Sequence, residues 1–324
     1  MMTRTFPLLT RGRPALFLPC LVVAASLACA PAMKRTPDQA PTPRDLAQLW
    51  ISQDIAAQDL YHGPGGRASL PSPTDKFKIV KFDPSGNSVG YEILDGRGRE
   101  WKAKLGEEVQ PEIVASRLLW AIGFHQPPMH LAPNFQLDGG RPEDSGQPAR
   151  LRAEHGYKSD GEWSWHENPF VGTRQLKGLL VANLIMNNWD IKPSQNRIYL
   201  MQGRVRGPAR RYVVQDLGAA LGKTGWPTGN RNDIEGFEQQ NLVKQVVNGR
   251  VEFDYDARHT ELFKDIAPAD VVWACRLFSR LTDKQWNDAF RAAHYSPELS
   301  RRFIAKLKAK VREGLVLDTR ASAQ

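Results

Sequence analysis

The chain has 324 residues, of which 41% are hydrophobic and 24% charged, and its formal net charge is +9. This composition is that of a globular protein with a sizeable core, and it excludes an intrinsically disordered chain. The basic residues follow no aromatic–basic pattern or zinc-finger spacing, so a nucleic-acid partner is not expected.

The first 29 residues have the composition of a secretory signal peptide. Three arginines precede the apolar run PALFLPCLVVAASLA, and no acidic residue is present. Pro14 and Pro19 interrupt this run, which is also short for a membrane span, so a transmembrane anchor is the weaker interpretation. Cleavage falls either within the small residues around Cys29 or just before Cys29, which would then carry lipid, although SLAC departs from the usual lipoprotein box. The sequence therefore predicts an exported protein that is periplasmic, held at the membrane as a lipoprotein, or secreted.

Export would leave a less basic chain with a single cysteine. The loss of three arginines and of no acidic residue reduces the formal net charge from +9 to +6. Residues 30–43 are rich in Pro, Thr and basic residues without periodicity, which predicts a flexible linker. Cys20 and Cys29 lie in the signal segment. The remaining Cys275 lies in an amphipathic helical pattern, where a buried, inert thiol is expected.

Residues 44–126 are predicted to form a small, strand-rich N-lobe with a leading helix. The stretch TPRD has a capping-box pattern with Pro at the first helical position, and the helix is predicted to run to Leu60, where YHGPGG ends it. Alternating hydrophobicity in FKIVKFD, YEILD and REWKAKLG predicts three strands joined by tight turns. The apolar spacing of PEIVASRLLWAIGF then predicts a helix that ends at Gly123.

Residues 127–318 are predicted to form a larger, mainly helical C-lobe, followed by a tail at 319–324. Thr173 is the predicted N-cap of a helix in RQLKGLLVANLIMNNW. NRIYL and RRYVVQDLG predict a hairpin, and KQVVNGRVEFDY predicts a second hairpin around its Asn-Gly turn. Three further helices are predicted over residues 268–281, 283–294 and 296–313. The predicted fold class is α+β.

The decapeptide NNWDIKPSQN at residues 187–196 lies between a predicted helix and a predicted hairpin. It places Asp190 at a helix end and Asn196 six residues later, and Asp216 closes the hairpin. Carboxylate and amide oxygens hold Mg²⁺, the metal bridges phosphate oxygens, and a further carboxylate orients an attacking hydroxyl. Lys192 would lie beside the transferred phosphate. A helix end followed by a Pro-directed turn explains the loop equally well, but it does not explain Asp216.

A phosphate site also needs a cation, and the third predicted strand supplies one. Lys102 and Lys104 alternate onto the same face of this strand, and either could bind phosphate. We favour Lys104 because its distance from Glu112, at the start of the next helix, suits an ion pair. The turn PSGNSVG, with Gly86 and Gly90, could cover the phosphates with backbone N–H groups.

The order of these motifs resembles the protein-kinase-like superfamily, in particular its HipA-type, phosphatidylinositol kinase-like and secretory casein kinase-like members. DIKPSQN is similar to the catalytic loop, QDLG to the metal-binding motif, WKAK to the strand-three lysine motif and PEIVASRLLWAIG to the C-helix. The resemblance covers about residues 77–220 and implies a bilobal fold with ATP and Mg²⁺ as cofactors. It implies that Asp190 is the catalytic base and that Asn196 and Asp216 are the magnesium ligands. It also implies that Lys104 binds the phosphates and that Glu112 is its partner.

The sequence departs from the kinase pattern in several places. Asn188 and Trp189 replace the His-Arg pair before Asp190, and no Ala-Pro-Glu follows the predicted activation segment. The metal-binding Asn falls one residue late, so either Gln195 or Asn196 could hold metal. The segments GREWKAKLG, NPFVGT and NNWDIK are also similar to segments of a group of exported bacterial proteins.

The sequence thus predicts an exported, Mg-ATP-dependent phosphotransferase whose partners are a nucleotide and an unknown phosphate acceptor. The alternative is a catalytically inactive, kinase-fold scaffold module of the cell envelope, which the scarcity of ATP outside the cytoplasm favours. A metal-dependent hydrolase built on Asp190 and Asp216 would lack the His ligands that such sites use. His155 and His166 are predicted to be structural or surface residues, and no HExxH spacing occurs.

Overall fold

A six-stranded sheet dominates the N-terminal part of the protein. The computed structural model describes residues 40–72, 76–84, 88–192, 196–203, 205–225 and 229–317. The signal peptide, Cys29, most of the linker, Gly86, Gln195 and the tail lie outside these residues. The sheet has the order β4-β6-β3-β2-β1-β5. Its strands are β1 (Phe77–Asp83), β2 (Gly90–Leu94), β3 (Glu100–Leu105), β4 (Met129–Ala132), β5 (Leu137–Asp138) and β6 (Ala149–Ala153).

The three predicted N-terminal strands are present and pair as an antiparallel meander. Alternation buries one face of β2 and β3, where Tyr91, Ile93, Trp101, Ala103 and Leu105 form half of a small hydrophobic cluster. β6 bonds antiparallel to β3, so the sheet extends past the predicted lobe boundary at residue 126. This pairing joins segments almost fifty residues apart, which a local pattern does not specify.

The leading helix is much shorter than predicted. Thr42 forms the predicted capping box with Asp45, but the helix α1 spans only Pro43–Leu46. The chain then continues as turns and irregular structure through Leu60, and several of its polar groups bond to the end of another element. The Ile51 amide donates to the Gly123 carbonyl at 3.0 Å. The Trp50 indole donates to the Ile122 carbonyl at 2.7 Å.

The helix that these residues contact is α2 (Val109–Ala121), which follows β3 as predicted. Nearly every side chain of α2 is buried, so it packs on more than one face. One neighbour is the sheet, through β4 and β6, and another is the C-terminal helical region, through α6 (Asp283–Ala292). α2 is therefore placed between the strand-rich and the helical parts of the molecule.

The remaining elements combine four further helices with two small sheets. The predicted hairpin of β8 (Asn196–Met201) and β9 (Arg210–Val214) is present, and β7 (Tyr157–Glu162) adds a third strand. The second predicted hairpin is formed by β10 (Val243–Val247) and β11 (Arg250–Phe253). The helices are α3 (Arg174–Ile185), α4 (Ile234–Gln239), α5 (Pro268–Ser279) and α7 (Pro297–Leu315). The molecule is thus a mixed α+β structure, with a strand-rich part followed by a larger part that contains most of the helices.

The helical part shares one hydrophobic cluster with α2 and the N-terminal segment. Thr173 caps α3 by accepting a hydrogen bond from the Leu176 amide, as the sequence predicts. Helix α5 packs against both α3 and α7. Cys275 of α5 is fully buried as predicted, and burial raises the pKa of its thiol to about 12, which disfavours the reactive thiolate. Among the described residues, no helix is both long and apolar enough to cross a membrane.

Candidate phosphate-binding site

Lys104 lies at the centre of an ion cluster that joins three elements. It sits on β3 opposite Gly90 of β2, and its ammonium group is 3.2 Å from a carboxylate oxygen of Glu112 in the first turn of α2. The same group is 3.4 Å from Asp216, which follows β9. The predicted ion pair between Lys104 and Glu112 is therefore present. Lys102 is more exposed and lies 4.0 Å from Glu92, so the geometry favours Lys104 over Lys102.

Glu112 is completely buried and is held by two cations. Besides Lys104, the guanidinium of Arg150 on β6 lies 3.1 Å from one of its carboxylate oxygens. Arg150 also donates to the Lys102 carbonyl at 3.1 Å, which fixes the arginine against β3. A buried carboxylate is stable only when it is paired and hydrogen-bonded. These contacts therefore set the position of Lys104 relative to α2.

Asp216 reaches the cluster from the end of the β8–β9 hairpin. Burial opposes the charged form of its carboxyl, but the Lys104 cation, the Gly218 amide and Arg150 together lower its pKa below the ordinary value. The carboxylate is therefore ionised at neutral pH. Gly218, two residues later, packs so closely on Glu108 that an added Cβ would lie 2.6 Å from the Glu108 Cβ. This glycine lets the chain after Asp216 approach α2.

A cavity of about 230 Å³ opens beside this cluster. Gly90 lines it together with Lys104, Glu112 and Asp216. The described lining contains five cationic and four acidic side chains, and the remaining cations include Arg152 and Arg197. Most of the lining is polar, so the cavity suits a charged ligand better than an apolar one.

Asp190 lies in the loop after α3 and does not line this cavity. Its carboxylate is 2.7 Å from the ammonium group of Lys192. The loop is tied to the Asp216 segment through Asn188, whose amide nitrogen donates to the Asp216 carbonyl at 3.5 Å and to the Asn183 side chain at 2.9 Å. The Asn188 side chain therefore connects the loop of Asp190 to the main chain at Asp216.

Asn196 begins β8 and pairs with Val214, two residues before Asp216. The β8–β9 pairing therefore places Asn196 beside the end of β9, from which the segment that carries Asp216 continues. Asn196 is almost fully buried, and its amide nitrogen has no hydrogen-bond partner among the described residues. The orientation of the Asn196 side-chain amide is therefore not fixed by a hydrogen bond from this nitrogen to any described residue.

Glu108 is a member of the cluster that the sequence did not single out. Its carboxylate accepts a hydrogen bond from Ser88 at 3.0 Å and lies 3.0 Å from the Lys104 ammonium group. Arg231, from the segment after Asp216, forms an ion pair with the same side chain. Glu108 follows Lys104 by four residues, but the strand ends between them, so neither strand nor helix periodicity predicts the contact.

Comparisons with known proteins found similarity only among solved structures. No family model matches the chain, and no curated protein matches it. Among solved structures, the Helicobacter pylori proinflammatory kinase CtkA is similar, with 10% sequence identity and a TM-score of 0.48. The match covers 76% of this chain and 97% of that chain. A likeness at this level does not define a function, so the functional case depends on the site itself.

Proposed function

We propose that the protein is a kinase-like phosphotransferase that uses ATP and Mg²⁺. The observation that carries this proposal is the cluster in which Lys104 on a strand, Glu112 on the next helix and Asp216 after a later hairpin meet at one cavity. Protein kinases use the same residue types in the same chain order. The two oxygen-bearing side chains proposed as metal ligands, Asp216 and Asn196, are of the kind that Mg²⁺ prefers.

The charge of the site fits a metal-bound polyanion. Glu108, Glu112 and Asp216 surround the Lys104 ammonium group, so bare phosphates would meet carboxylates as well as cations. Asp216 and Asn196 would hold Mg²⁺, which would add positive charge for the phosphates beside these carboxylates. Lys104, positioned by Glu112, would then bind the phosphates.

The proposed base is Asp190. A carboxylate near the transferred phosphate orients the acceptor hydroxyl and takes its proton as the oxygen attacks phosphorus. Lys192, 2.7 Å from Asp190, would neutralise the transferred phosphoryl group. The phosphate acceptor is any hydroxyl that the site can reach, and a nucleotide is the other partner.

A thermal-shift experiment with a phosphotransfer assay tests these assignments. We expect Mg²⁺-ATP to stabilise the purified protein, by about 2.7 kcal/mol at a hundredfold excess over the dissociation constant. Asp216→Ala should abolish this gain because a metal ligand is lost. Asp190→Ala should keep the gain and lose transfer, because a base acts mainly in the chemical step. Asp54→Ala, at an exposed residue, is the matched control.

Two outcomes would overturn the proposal in different ways. No stabilisation by any nucleotide with a divalent metal would exclude the phosphotransferase and favour an envelope scaffold. Stabilisation without transfer to a broad set of acceptors would instead identify a nucleotide-binding module that lacks catalysis.

We also propose that the protein is exported and loses residues 1 to about 29, with cleavage just before Cys29 if that residue carries lipid. The support is the basic start, the apolar run and the small residues around Cys29. Intact-mass measurement on protein from the native envelope should show a chain without Met1. A diacylglycerol mass on Cys29 would identify a lipoprotein, whereas an unprocessed chain would contradict export by this route.

A further inference from the structure

Two histidines and a glutamate meet on the surface of the helical part. His259 Nδ1 is 3.1 Å from Glu261 Oε1, and His166 Nε2 is 3.4 Å from the same oxygen. One ligand atom from each of the three side chains lies within 4.8 Å of the other two. Among the residues that the structure describes, these three form the one such group of His, Cys, Asp and Glu side chains. The phosphotransferase proposal uses none of them.

Two of the three separations between these atoms are close to those between ligands of one metal ion, and the third is at most 4.8 Å. Zn²⁺ binds histidine nitrogen and carboxylate oxygen at about 2.0–2.2 Å, usually with tetrahedral geometry, so neighbouring ligand atoms lie roughly 3.3–3.5 Å apart. The two separations from Glu261 Oε1 are close to this range. All three side chains are partly exposed, between 31% and 49%, which leaves room for water as a fourth ligand.

The fold holds both histidines in place through neighbouring buried residues. His166 follows Trp165, which is 2% exposed, and its amide donates to the Ser164 hydroxyl. His259 has a left-handed backbone with φ of +62° and caps a short 3-10 helix (Thr260–Phe263), whose Phe263 is buried. This 3-10 helix contacts α3, which begins shortly after His166. The ligands therefore come from two segments that are already packed together.

We propose that His166, His259 and Glu261 bind a divalent transition-metal ion of the Zn²⁺ type. The ion would connect the segment before α3 to the segment before α5. It would also lie next to the loop of Asp190, because the Tyr255 hydroxyl is 3.2 Å from both the Trp189 carbonyl and the Arg258 carbonyl. The site is independent of the nucleotide site and can be tested without any assumption about phosphotransfer.

The experiment is calorimetric titration of the purified, metal-free protein with Zn²⁺. We expect one ion to bind per chain and the melting temperature to rise with Zn²⁺. His166→Ala and His259→Ala should each weaken binding by more than about tenfold, and Glu261→Gln should also weaken it. His62→Ala is the matched control, because His62 pairs with Asp59 at 2.7 Å without a third ligand.

The variants also separate loss of a ligand from loss of folding. The three substituted residues are partly exposed, so the metal-free variants should melt close to the metal-free wild type. Equal Zn²⁺ binding by the wild type and by both histidine variants would overturn the proposal. Absence of binding by the wild type would overturn it as well, and would leave the cluster as an ion-paired surface group.

Discussion

At the residue scale, the position of Lys104 depends on groups that lie outside its own strand. Three carboxylates surround its ammonium group, and they come from the turn before α2, from α2 itself and from the segment after β9. Lys102 has the same chemistry on the same strand, but its neighbour is Glu92 at 4.0 Å. The choice between two similar lysines is therefore made by their partners and not by local sequence.

Lys310 provides a second test at the residue scale, through pH. Its side chain is fully enclosed beneath the helical core and donates to Asn187 Oδ1, and burial lowers the pKa of its ammonium group to about 7. Between pH 7 and 8.5 the folded protein loses this proton while the unfolded chain keeps it, so the free energy of unfolding rises with pH. The rise attributable to Lys310 is on the order of 1–2 kcal/mol.

We expect Lys310→Met to remove this rise in urea unfolding measured at pH 7 and 8.5. Lys244→Met, at an exposed lysine, should leave the rise in place. The window ends below the ordinary pKa of the tyrosines, and the Cys275 thiol, whose ordinary pKa is 9.0, would offset only about a few tenths of a kcal/mol of the rise. If the free energy of unfolding of Lys310→Met rises with pH as much as that of the wild type, another group is responsible for the rise.

At the element scale, the end of α2 is held by the segment that the sequence wrongly predicted as helix. Gly123 ends the helix region with φ of +106°, and an added Cβ would overlap the Ile51 carbonyl oxygen and the Trp50 indole. An unfavourable backbone conformation costs about 1–3 kcal/mol, and Gly123→Ala should lower the free energy of unfolding by more than this because of the added overlap. Gly98→Ala has a positive φ of +73° but meets no atom within 4 Å, so it should cost only the backbone contribution.

Chemical denaturation of the two alanine variants compares these costs directly. Because the Gly123 contact fixes the end of the helix that carries Glu112, Gly123→Ala should also weaken nucleotide binding, whereas Gly98→Ala should not. Equal losses of stability in the two variants would contradict the close approach.

At the scale of the whole molecule, one hydrophobic cluster unites the N-terminal segment, α2 and the helical part. Leu49, Ile55 and Leu60 are essentially unexposed within it. Leu49→Ala should lower the free energy of unfolding by about 2–5 kcal/mol and leave a single transition, because the core is continuous. Leu299→Ala, at a residue that is 37% exposed, should change stability by less than about 0.5 kcal/mol. Two separate transitions for Leu49→Ala, seen by calorimetry, would show that the two parts unfold independently.

The sequence by itself determined the features that depend on neighbouring residues. Alternation specified β1, β2 and β3, the Thr173 cap specified the start of α3, and Asn248-Gly249, with φ of +51° and +72°, specified a hairpin turn. Motif order also singled out Lys104, Glu112 and Asp216, which meet in space. The strands, the cap and the turn are specified by short stretches whose geometry is set locally, whereas the three site residues were found through the order of their motifs.

Only the tertiary structure decided which long-range partners each segment takes. Residues 47–60 have a helical composition, yet their polar groups bond to the end of α2. β6 joins β3, Arg231 joins Glu108, and His166 meets His259 from 93 residues away. Such contacts cannot be derived from periodicity, because the free energy that favours them comes from burial and charge pairing between residues that only the complete fold brings together.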